Sequence, residues 1–448
     1  MMRESSRSRF WKRPKMSISQ RRLFDAVDGP DLSRNASINQ HLRAFSWNGK
    51  QTTVAETRVP LSHGGDISVE TFINEFWTSR QRVAHSLHEI SYRACFKPQL
   101  PRFFIERLTR ISGVVYDPFM GRGTTLLEAA LLGRAVRGCD INPLSVILVL
   151  PRLSPPHLTQ IASRLRQVDW QRGGEEHPEE FLVFYHPETL REICALKRFL
   201  AQRERAGLLD SVDQWIRMVA VNRLTGHSRG FFSVYTLPPN QAASVASQKK
   251  INTQLNQVPL RRDVPELILA KSRSLLSDCN DAIRESLRRA AEGCQLLTAV
   301  AAETPEIESG SVDLVVTSPP FLDIVDYAGD NWLRCWFCGI DAAAVRLTIL
   351  RKVEEWRLAM TGVFHELARV LKPNGYLAFE VGELRGGRVR LEEHVIPCGL
   401  AAGLEPMLVL INDQKFTKTA NCWGVANNAR GTNTNRVVLF RRPARGSL

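Results

Sequence analysis

The stretch ISGVVYDPFMGRGTTLLEAALLGRAVRGCDINP, residues 111–143, contains the clearest pattern of secondary structure in the chain. Residues 111–119 form a short, mainly apolar segment, which predicts a buried strand that runs into a turn. The following residues predict a helix over 121–133 and a second strand over 135–143. A strand, helix and strand in this order imply a parallel sheet that is covered by helices on both faces.

The turn after the first strand is rich in glycine. Gly121 and Gly123 allow a tight turn and let a ligand approach the backbone closely. Thr125 and Glu128 have the T-x-x-E spacing of a capping box, which predicts the start of a helix. Asp140 lies at the end of the second strand, where a carboxylate can accept hydrogen bonds from ribose hydroxyls. The turn is therefore a candidate cofactor site.

Other interpretations of this turn fit the residues less well. An ordinary βα turn would bind nothing, and a glycine-rich turn alone does not exclude it. A dinucleotide site would need a third glycine, which is absent, and Asp117 would repel a pyrophosphate. A Walker loop would need a Gly-Lys-Ser/Thr sequence, which does not follow. A ligand that carries an amino group and a sulfonium fits the acidic turn better than a phosphate does.

A second candidate site is the segment TSPPF, residues 317–321, which follows the predicted strand SVDLVV. An exocyclic amino group on a base is a poor nucleophile, because its lone pair is delocalised into the ring. The Ser318 hydroxyl and the Pro319 carbonyl could accept its two N–H groups and free that lone pair, while Pro319 and Pro320 keep the loop rigid. Phe321 could stack on a flipped base. Taken alone, the segment could also be a turn that ends a strand.

At these two motifs the chain resembles the amino-methyltransferase group of DNA methylases, whose S-adenosylmethionine loop reads close to D-P-F-x-G-x-G-T-T. Residues 117–125 match that loop in full, and the resemblance is strongest over 85–145 and 295–383. It implies S-adenosylmethionine as the cofactor, bound by Asp117, Pro118, Phe119, Gly121, Gly123, Thr124, Thr125 and Asp140. It implies that the catalytic loop consists of Ser318, Pro319, Pro320 and Phe321.

The family resemblance also bears on the target base. Serine at the first position of the catalytic loop resembles the cytosine-N4 enzymes, whereas Asp or Asn is usual in adenine-N6 enzymes. The separation is imperfect, since some adenine enzymes carry TSPPY-like loops. The expected function is site-specific transfer of a methyl group to the N4 of a flipped cytosine, within restriction and modification or phage and host DNA modification. The alternatives are an adenine-N6 DNA methyltransferase, an RNA guanine-N2 methyltransferase and an inactive nucleic-acid-binding relative.

Composition and charge are consistent with that expectation. The chain has 448 residues, of which 44% are hydrophobic, and a net charge of +14 that favours binding to a polyanion. We expect double-stranded DNA as the partner, with a cognate restriction endonuclease as a further candidate, no membrane association and no metal. The nine cysteines show no paired zinc spacing, because Cys335 and Cys338 form a lone C-x-x-C, so we expect a reducing cytoplasm. The sequence leaves open whether the protein is a monomer or a dimer.

The predicted architecture is an α/β fold: a Rossmann-like methyltransferase sheet with a largely helical insert and a basic N-terminal arm. The arm is placed at residues 1–60, the cofactor-binding half at 61–150, the insert at 151–293 and the catalytic half at 294–448. Basic residues 1–22 lack the apolar segment of a secretory signal, and a mitochondrial presequence is an alternative to a disordered arm. Further elements are predicted as a helical region over 66–108 with a break near 95–104, a polar loop over 222–258, a helix over 353–373, and strands over 374–383 and 436–440.

The insert is the expected target-recognition region. Its polar segment carries cations that suit phosphate contacts, together with Asn and Gln side chains that can read base edges. The candidate nucleic-acid contacts are Arg223, His227, Arg229, Lys249 and Lys250. A solvated surface loop explains the same composition equally well. The similar segment 414–442 is expected to form a long ordered loop near the nucleic acid. The family often has an acid after the third strand that contacts the cofactor adenine, and Glu303 is only a weak substitute for it.

Overall fold

A computed structural model gives the fold of most of the chain. The residues that it describes are 38–61, 64–77, 84–93, 95–172, 178–237, 242–320, 327–342, 345, 352–384, 389–413 and 434–444.

The strands form one large sheet and two short hairpins. The hairpin strands are β1 (Ser46–Trp47) with β2 (Lys50–Gln51), and β10 (Glu383–Leu384) with β11 (Val389–Arg390). The large sheet contains β3 (Thr53–Pro60), β4 (Asp66–Asn74), β5 (Val114–Asp117), β6 (Ala135–Asp140), β7 (Gln295–Thr298), β8 (Val312–Thr317), β9 (Leu371–Val381), β12 (Glu405–Asp413) and β13 (Thr434–Arg441). Its order is β3-β4-β12-β13-β9-β8-β5-β6-β7. Only β3 and β13 run opposite to the other strands.

Helices cover both faces of this sheet. Those before the insert are α1 (Ile38–Ala44), α2 (Gln99–Leu108), α3 (Thr124–Leu131) and α4 (Leu144–Leu153). The insert contains α5 (Leu158–Leu165), α6 (Pro187–Arg205), α7 (Ser211–Val221), α8 (Val245–Gln254), α9 (Val264–Leu275) and α10 (Asp281–Glu292). The catalytic half contains α11 (Tyr327–Cys338), α12 (Val353–Val370) and α13 (Leu391–Ala401), and short 3₁₀ turns occur at Ser86–His88 and Glu179–Val183. None of the helices in the described part of the chain is long and apolar enough to cross a membrane.

The two candidate motifs meet because of the order of the parallel strands. The chain passes from β5 to β6 and β7 in one direction, then returns to place β8 on the other side of β5. Such a reversal opens a crevice at the carboxyl ends of the two central strands, where open α/β sheets bind ligands. The glycine-rich turn follows β5 and the Ser-Pro-Pro segment follows β8, so both lie at this crevice.

Side chains alternate between two apolar layers along the central strands. Val115 and Leu314 face the layer that contains the insert helices, whereas Tyr116 and Val315 face the layer of α12 and α13. This alternation is the period-two pattern of a strand that is buried on both faces. Trp215 of α7 belongs to the same buried cluster as Val115. The insert is therefore a helical layer that shares the core of the sheet.

Several sequence predictions are confirmed, and others are wrong. Five predicted strands and two predicted helices are present within a few residues of their predicted bounds. The strands are those predicted from residues 111, 135, 311, 374 and 436, and the helices are those predicted from residues 121 and 353. The prediction of an arm over residues 1–60 is wrong for 38–60, which form α1, the first hairpin and the edge strand β3, while 1–37 lie outside the described residues.

The predicted helical region 66–108 begins with a strand instead. Asp66–Asn74 contains Ile67, Val69, Thr71 and Ile73, and these β-branched residues at every second position favour a strand. The expected break near 95–104 contains the start of α2, where Pro101 falls in the first turn and removes no helical hydrogen bond. The polar loop over 222–258 likewise contains α8, which Ser244 caps by accepting a hydrogen bond from the Ser247 amide at 3.2 Å.

Candidate active site

The glycine-rich turn has the left-handed backbone that its glycines permit. Gly121 has φ of +48° and Gly123 has φ of +72°. Asp140 at the end of β6 closes the turn, because its carboxylate accepts hydrogen bonds from the Gly121 and Asn142 amides, each at 2.8 Å. Burial raises the pKa of Asp140, and these two amide hydrogen bonds oppose that rise. The turn and the carboxylate therefore form one unit at the crevice.

Gly123 cannot carry a side chain without cost. A Cβ atom there would lie 2.4 Å from Cγ2 of Val149, in a conformation that L-residues rarely adopt. We expect Gly123→Ala to lower the free energy of unfolding by about 2–4 kcal/mol, from the left-handed backbone and the clash together. The control is Gly207→Ala, since Gly207 has φ of +66° and open space around it, so only about 1 kcal/mol should be lost. Urea unfolding measures both, and equal losses would contradict a steric role for Gly123.

The predicted capping box at the start of α3 is wrong. The helix begins after Gly123 without a side-chain cap. Thr125 donates instead to the carbonyl of Val316 at 3.0 Å, which ties the turn to β8. Glu128 is buried and contacts Nε2 of His88 at 2.7 Å. Tertiary partners have replaced the local contacts that the spacing predicted.

Three contacts position the segment that contains Ser318. The Thr317 hydroxyl donates to Oδ1 of Asp117 at 2.6 Å, which joins the two candidate motifs directly. The Ser318 hydroxyl interacts with the carboxylate of Glu380 on β9 and lowers the pKa of that carboxyl. The carbonyl of Pro320 accepts a hydrogen bond from Nε1 of Trp356 at 3.1 Å. The segment is therefore held at its start and near its end, while Ser318 remains partly exposed.

Glu380 is a residue of this site that the sequence analysis missed. It is 4% exposed, and Nδ2 of Asn435 donates to its Oε1 at 2.8 Å. Burial raises its pKa to about 7, and the hydrogen bonds from Ser318 and Asn435 oppose that rise. A lone acid inside the apolar strand LAFEV is a signal that could have identified it, since buried acids need a specific partner.

Asp117 is also buried, at 2% exposure. Its Oδ1 accepts hydrogen bonds from Thr317 and from the Phe119 amide at 3.1 Å. Desolvation raises its pKa to about 7 despite these donors. In this structure Asp117 connects the two loops, and its predicted contact with a cofactor stays a prediction.

The remaining predicted cofactor residues divide into two groups. Phe119, Gly121 and Asp140 are partly exposed at the crevice, where a ligand can reach them. The others are buried and shape the turn; they are Pro118, Gly123, Thr124 and Thr125. In the catalytic loop Pro319 is buried and Pro320 is exposed, while Phe321 lies outside the described residues.

The segment before α2 lies against the glycine-rich turn. Nη1 of Arg122 donates to the carbonyls of Ile90 at 2.8 Å and His88 at 3.2 Å. The ring of Tyr92 lies 3.6 Å from the position that a Cβ on Gly121 would take. The segment before α2 therefore forms one side of the glycine-rich turn.

The predicted nucleic-acid contacts lie together on the insert. His227, Arg229, Lys249 and Lys250 are exposed. The two parts of this surface are adjacent, because Gly226 pairs with Tyr235 and the Tyr235 carbonyl accepts from Nε2 of Gln248 on α8 at 3.0 Å. Arg223 is different, since its guanidinium stacks 4.0 Å from the centre of the Phe231 ring and burial lowers its pKa to about 10.

Two tryptophans of α11 pack against the insert. Trp332 and Trp336 pack edge-on against Phe181 of the insert, so their rings contribute to the core. Within the described ranges, no group of His, Cys, Asp or Glu side chains is arranged to hold a metal ion. Glu303 is exposed, and residues 414–433 of the predicted C-terminal loop lie outside the description.

Comparisons with known proteins show that part of the chain is similar to DNA methylases. Residues 32–147 match the family model described as DNA methylase of the N6/N4 type. The type II methyltransferase M.BsoBI of Geobacillus stearothermophilus is 22% identical over 349 residues, which cover 69% of this chain and 64% of that protein. The type II methyltransferase M.MvaI of Kocuria varians is 30% identical over 112 residues, or 24% of this chain and 23% of that protein. The chain thus spans less than two thirds of the length of either relative.

Solved methyltransferase structures align with much of this chain at low sequence identity. The rRNA methyltransferase aviRa of Streptomyces viridochromogenes aligns with 80% of this chain and 89% of its own, at 14% identity and a TM-score of 0.32. The two motifs and their junction at the crevice agree with these partial matches, in which the chain is similar to DNA methylases of the N6/N4 type.

Proposed function

We propose that this protein transfers a methyl group from S-adenosylmethionine to the exocyclic N4 of a cytosine in double-stranded DNA. The observation that carries the proposal is the 2.6 Å hydrogen bond between Thr317 and Asp117, because it joins the cofactor turn to the catalytic loop. Methyl transfer needs donor and acceptor within reacting distance, and a rigid junction between their two loops provides that proximity.

The residues at the turn fit this cofactor. The Asp140 carboxylate uses one acceptor site on each oxygen for a backbone amide, which leaves further sites for ribose hydroxyls. The absence of a side chain at Gly121 allows a ligand to approach the backbone. We assign the cofactor to Phe119, Gly121 and Asp140 as contacts, with Asp117, Pro118, Gly123, Thr124 and Thr125 as the residues that shape its site.

The catalytic loop would activate the amino group. When bound, S-adenosylmethionine supplies an electrophilic methyl group on a sulfonium. The Ser318 oxygen and the Pro319 carbonyl accept the two N–H groups of the target, and Phe321 stacks on the flipped base. The methylated nitrogen carries an excess proton, which passes to the Ser318 oxygen while the hydroxyl proton of Ser318 passes to the Glu380 carboxylate. A carboxyl with a pKa of about 7 is suited to accept a proton near neutral pH.

Cytosine is the base that we propose, because serine occupies the first position of the loop. Adenine N6 is the alternative within the same chemistry. Purified protein incubated with S-adenosylmethionine and unmethylated DNA, followed by mass analysis of the nucleosides, separates the two. We expect 4-methylcytosine; 6-methyladenine would overturn the choice of base, and the absence of both would overturn the proposed activity.

DNA would approach the face that carries His227, Arg229, Lys249 and Lys250. Two hydrogen bonds hold the ends of the segment 222–243, which contains His227 and Arg229. Asn222 accepts a hydrogen bond from the Ser91 amide at 2.9 Å, beside the residue that borders Gly121. The Ala243 carbonyl accepts from Nε1 of Trp332 on α11 at 3.3 Å. These two contacts support the proposal that the exposed cations bind DNA phosphates.

Asp140 gives a test of the cofactor site. We expect Asp140→Ala to weaken S-adenosylmethionine binding by at least about tenfold, since the loss removes hydrogen bonds to a charged acceptor. Titration calorimetry measures the affinity. Asp169→Ala is the control, because Asp169 also accepts a nearby amide, from Gln171 at 3.2 Å, but lies on an exposed loop of the insert. Unchanged affinity in the Asp140 variant would refute the placement of the ribose.

A further inference from the structure

The three residues Ser91, Tyr92 and Arg93 contact three parts of the site, and we call them the junction. Tyr92 borders the glycine-rich turn at Gly121. The Ser91 amide donates to Asn222, the residue at the start of the basic insert loop. The third contact is with α11, the helix that begins seven residues after Pro320 of the catalytic loop.

The contact with α11 is made of charged groups. Nη1 of Arg93 lies 2.8 Å and 3.1 Å from the two carboxylate oxygens of Asp330, in the first turn of α11. The Asp330 side chain is 9% exposed and that of Arg93 is 30% exposed, so solvent screens this pair less than a surface pair. A carboxylate in the first turn also interacts favourably with the helix dipole.

A second arginine reinforces the connection. Nη2 of Arg334 donates to the Ser91 carbonyl at 3.1 Å, and Nη1 donates to Oδ1 of Asn331 at 2.7 Å. Its guanidinium lies 5.8 Å from the centre of the Tyr92 ring. The start of α11 is therefore held to the junction, whose residue Tyr92 borders the cofactor turn.

We propose that Arg93 and Asp330 are positioning residues, which fix the start of α11 relative to the cofactor turn so that cofactor binding also orders α11. The proposal rests on the proposed function. The catalytic loop is held at its start by Asp117 and Glu380 and at Pro320 by Trp356, and this pair supplies a further restraint at the start of α11. Neither residue contacts the reacting atoms in this assignment. Their effect is on geometry, where a displacement of about 1 Å can cost about 100-fold in rate.

The first test is a double-mutant cycle with Arg93→Met, Asp330→Asn and the double variant. We expect each single change to lower kcat at saturating DNA and cofactor by about tenfold or more, with the dissociation constant for S-adenosylmethionine changed by less than about twofold. The double variant should be no worse than the poorer single variant, because both changes remove one interaction. Arg93→Lys should recover part of the rate. Unchanged kcat, additive losses or a loss that follows cofactor affinity would overturn the proposal.

Lys372→Met is the matched control for loss of an ion pair. Lys372 Nζ lies 2.8 Å from Oδ2 of Asp313, at the amino ends of the central strands β8 and β9, which are opposite the crevice. We expect this variant to keep the wild-type kcat even if its thermal stability falls. A comparable loss of kcat in the control would show that any broken ion pair has this effect and would overturn the specific role of Arg93 and Asp330.

The second test does not depend on methyl transfer. Hydrogen exchange of α11 is measured with and without S-adenosylmethionine, whose binding is followed separately by calorimetry. We expect bound cofactor to slow exchange in Tyr327–Cys338 of the wild type but not of Arg93→Met. Binding without protection of α11 in the wild type would overturn this inference alone. Failure of the wild type to bind the cofactor would overturn the proposed function and this inference with it.

Discussion

Ser318→Ala is expected to lower kcat for methyl transfer by about 10³-fold, because it removes both a precise contact with the amino group and the route for its proton. The change removes only the hydroxyl group. That hydroxyl links the partly exposed loop to the buried Glu380 carboxylate. Cofactor binding should stay within about twofold of the wild type, since Ser318 is not among the residues of the glycine-rich turn. Single-turnover kinetics and calorimetry measure the two quantities separately.

Ser311→Ala is the matched control for this change. Ser311 precedes β8 at its other end and donates to the Glu308 carbonyl at 2.6 Å, far from the crevice. It should leave kcat unchanged. Activity in Ser318→Ala within about threefold of the wild type would remove the role that we give to this hydroxyl.

Glu380→Gln should lower kcat by about 100-fold and abolish its dependence on pH near neutrality. The pKa of the buried carboxyl is raised to about 7, so it is protonated below that pH and ionised above it. Only the ionised form can accept a proton, and kcat of the wild type should therefore rise with pH through about 7 and then level off. Glutamine keeps the shape and one acceptor oxygen but cannot take the proton.

Asn435→Ala is a test of the direction of this effect. Asn435 donates to Oε1 of Glu380 and so stabilises its ionised form. Its removal should raise the pKa of Glu380 and move the rise in kcat to higher pH. Asp117 also has a pKa raised to about 7, so a rise that persists in Glu380→Gln would assign the dependence to Asp117 and contradict the relay.

The same raised pKa affects folding stability. A carboxyl whose pKa is higher in the folded state than in the unfolded state favours folding at low pH. That contribution is lost as the pH rises through about 7, where Glu380 ionises in its buried position. Between pH 5 and pH 8, the free energy of unfolding should therefore fall less in Glu380→Gln than in the wild type. Urea unfolding across this pH range measures that fall independently of kcat.

Much of the central sheet and both motifs could be predicted from the sequence. The segment 111–143 has short apolar runs, glycines and an acid at the spacings of a strand, a turn, a helix and a second strand, and the strand before Ser318 is equally clear. Local pattern was sufficient there because each element agrees with its tertiary position. The N-terminal elements were missed, since Thr53–Pro60 is an edge strand with mostly exposed side chains and no apolar alternation.

The contacts between the motifs could not be predicted in the same way. Thr317 and Asp117 are 200 residues apart in the chain, and only the return of β8 beside β5 brings them together. Glu380 and Asn435 meet for the same reason, through the pairing of β9 with β13. The capping box failed because Thr125 and Glu128 found partners on β8 and at His88, which no local spacing reveals.

The most direct test of the proposed activity is to express the protein in a host that lacks base methylation and to sequence the host DNA by a method that distinguishes 4-methylcytosine from 6-methyladenine. Expression of Ser318→Ala in parallel gives the background. We predict 4-methylcytosine at a defined motif in cells with the wild type and at most trace levels with the variant. Methyladenine at a defined motif would contradict the assignment of cytosine, and unmodified DNA from cells that contain folded, cofactor-binding protein would contradict DNA methylation as its activity.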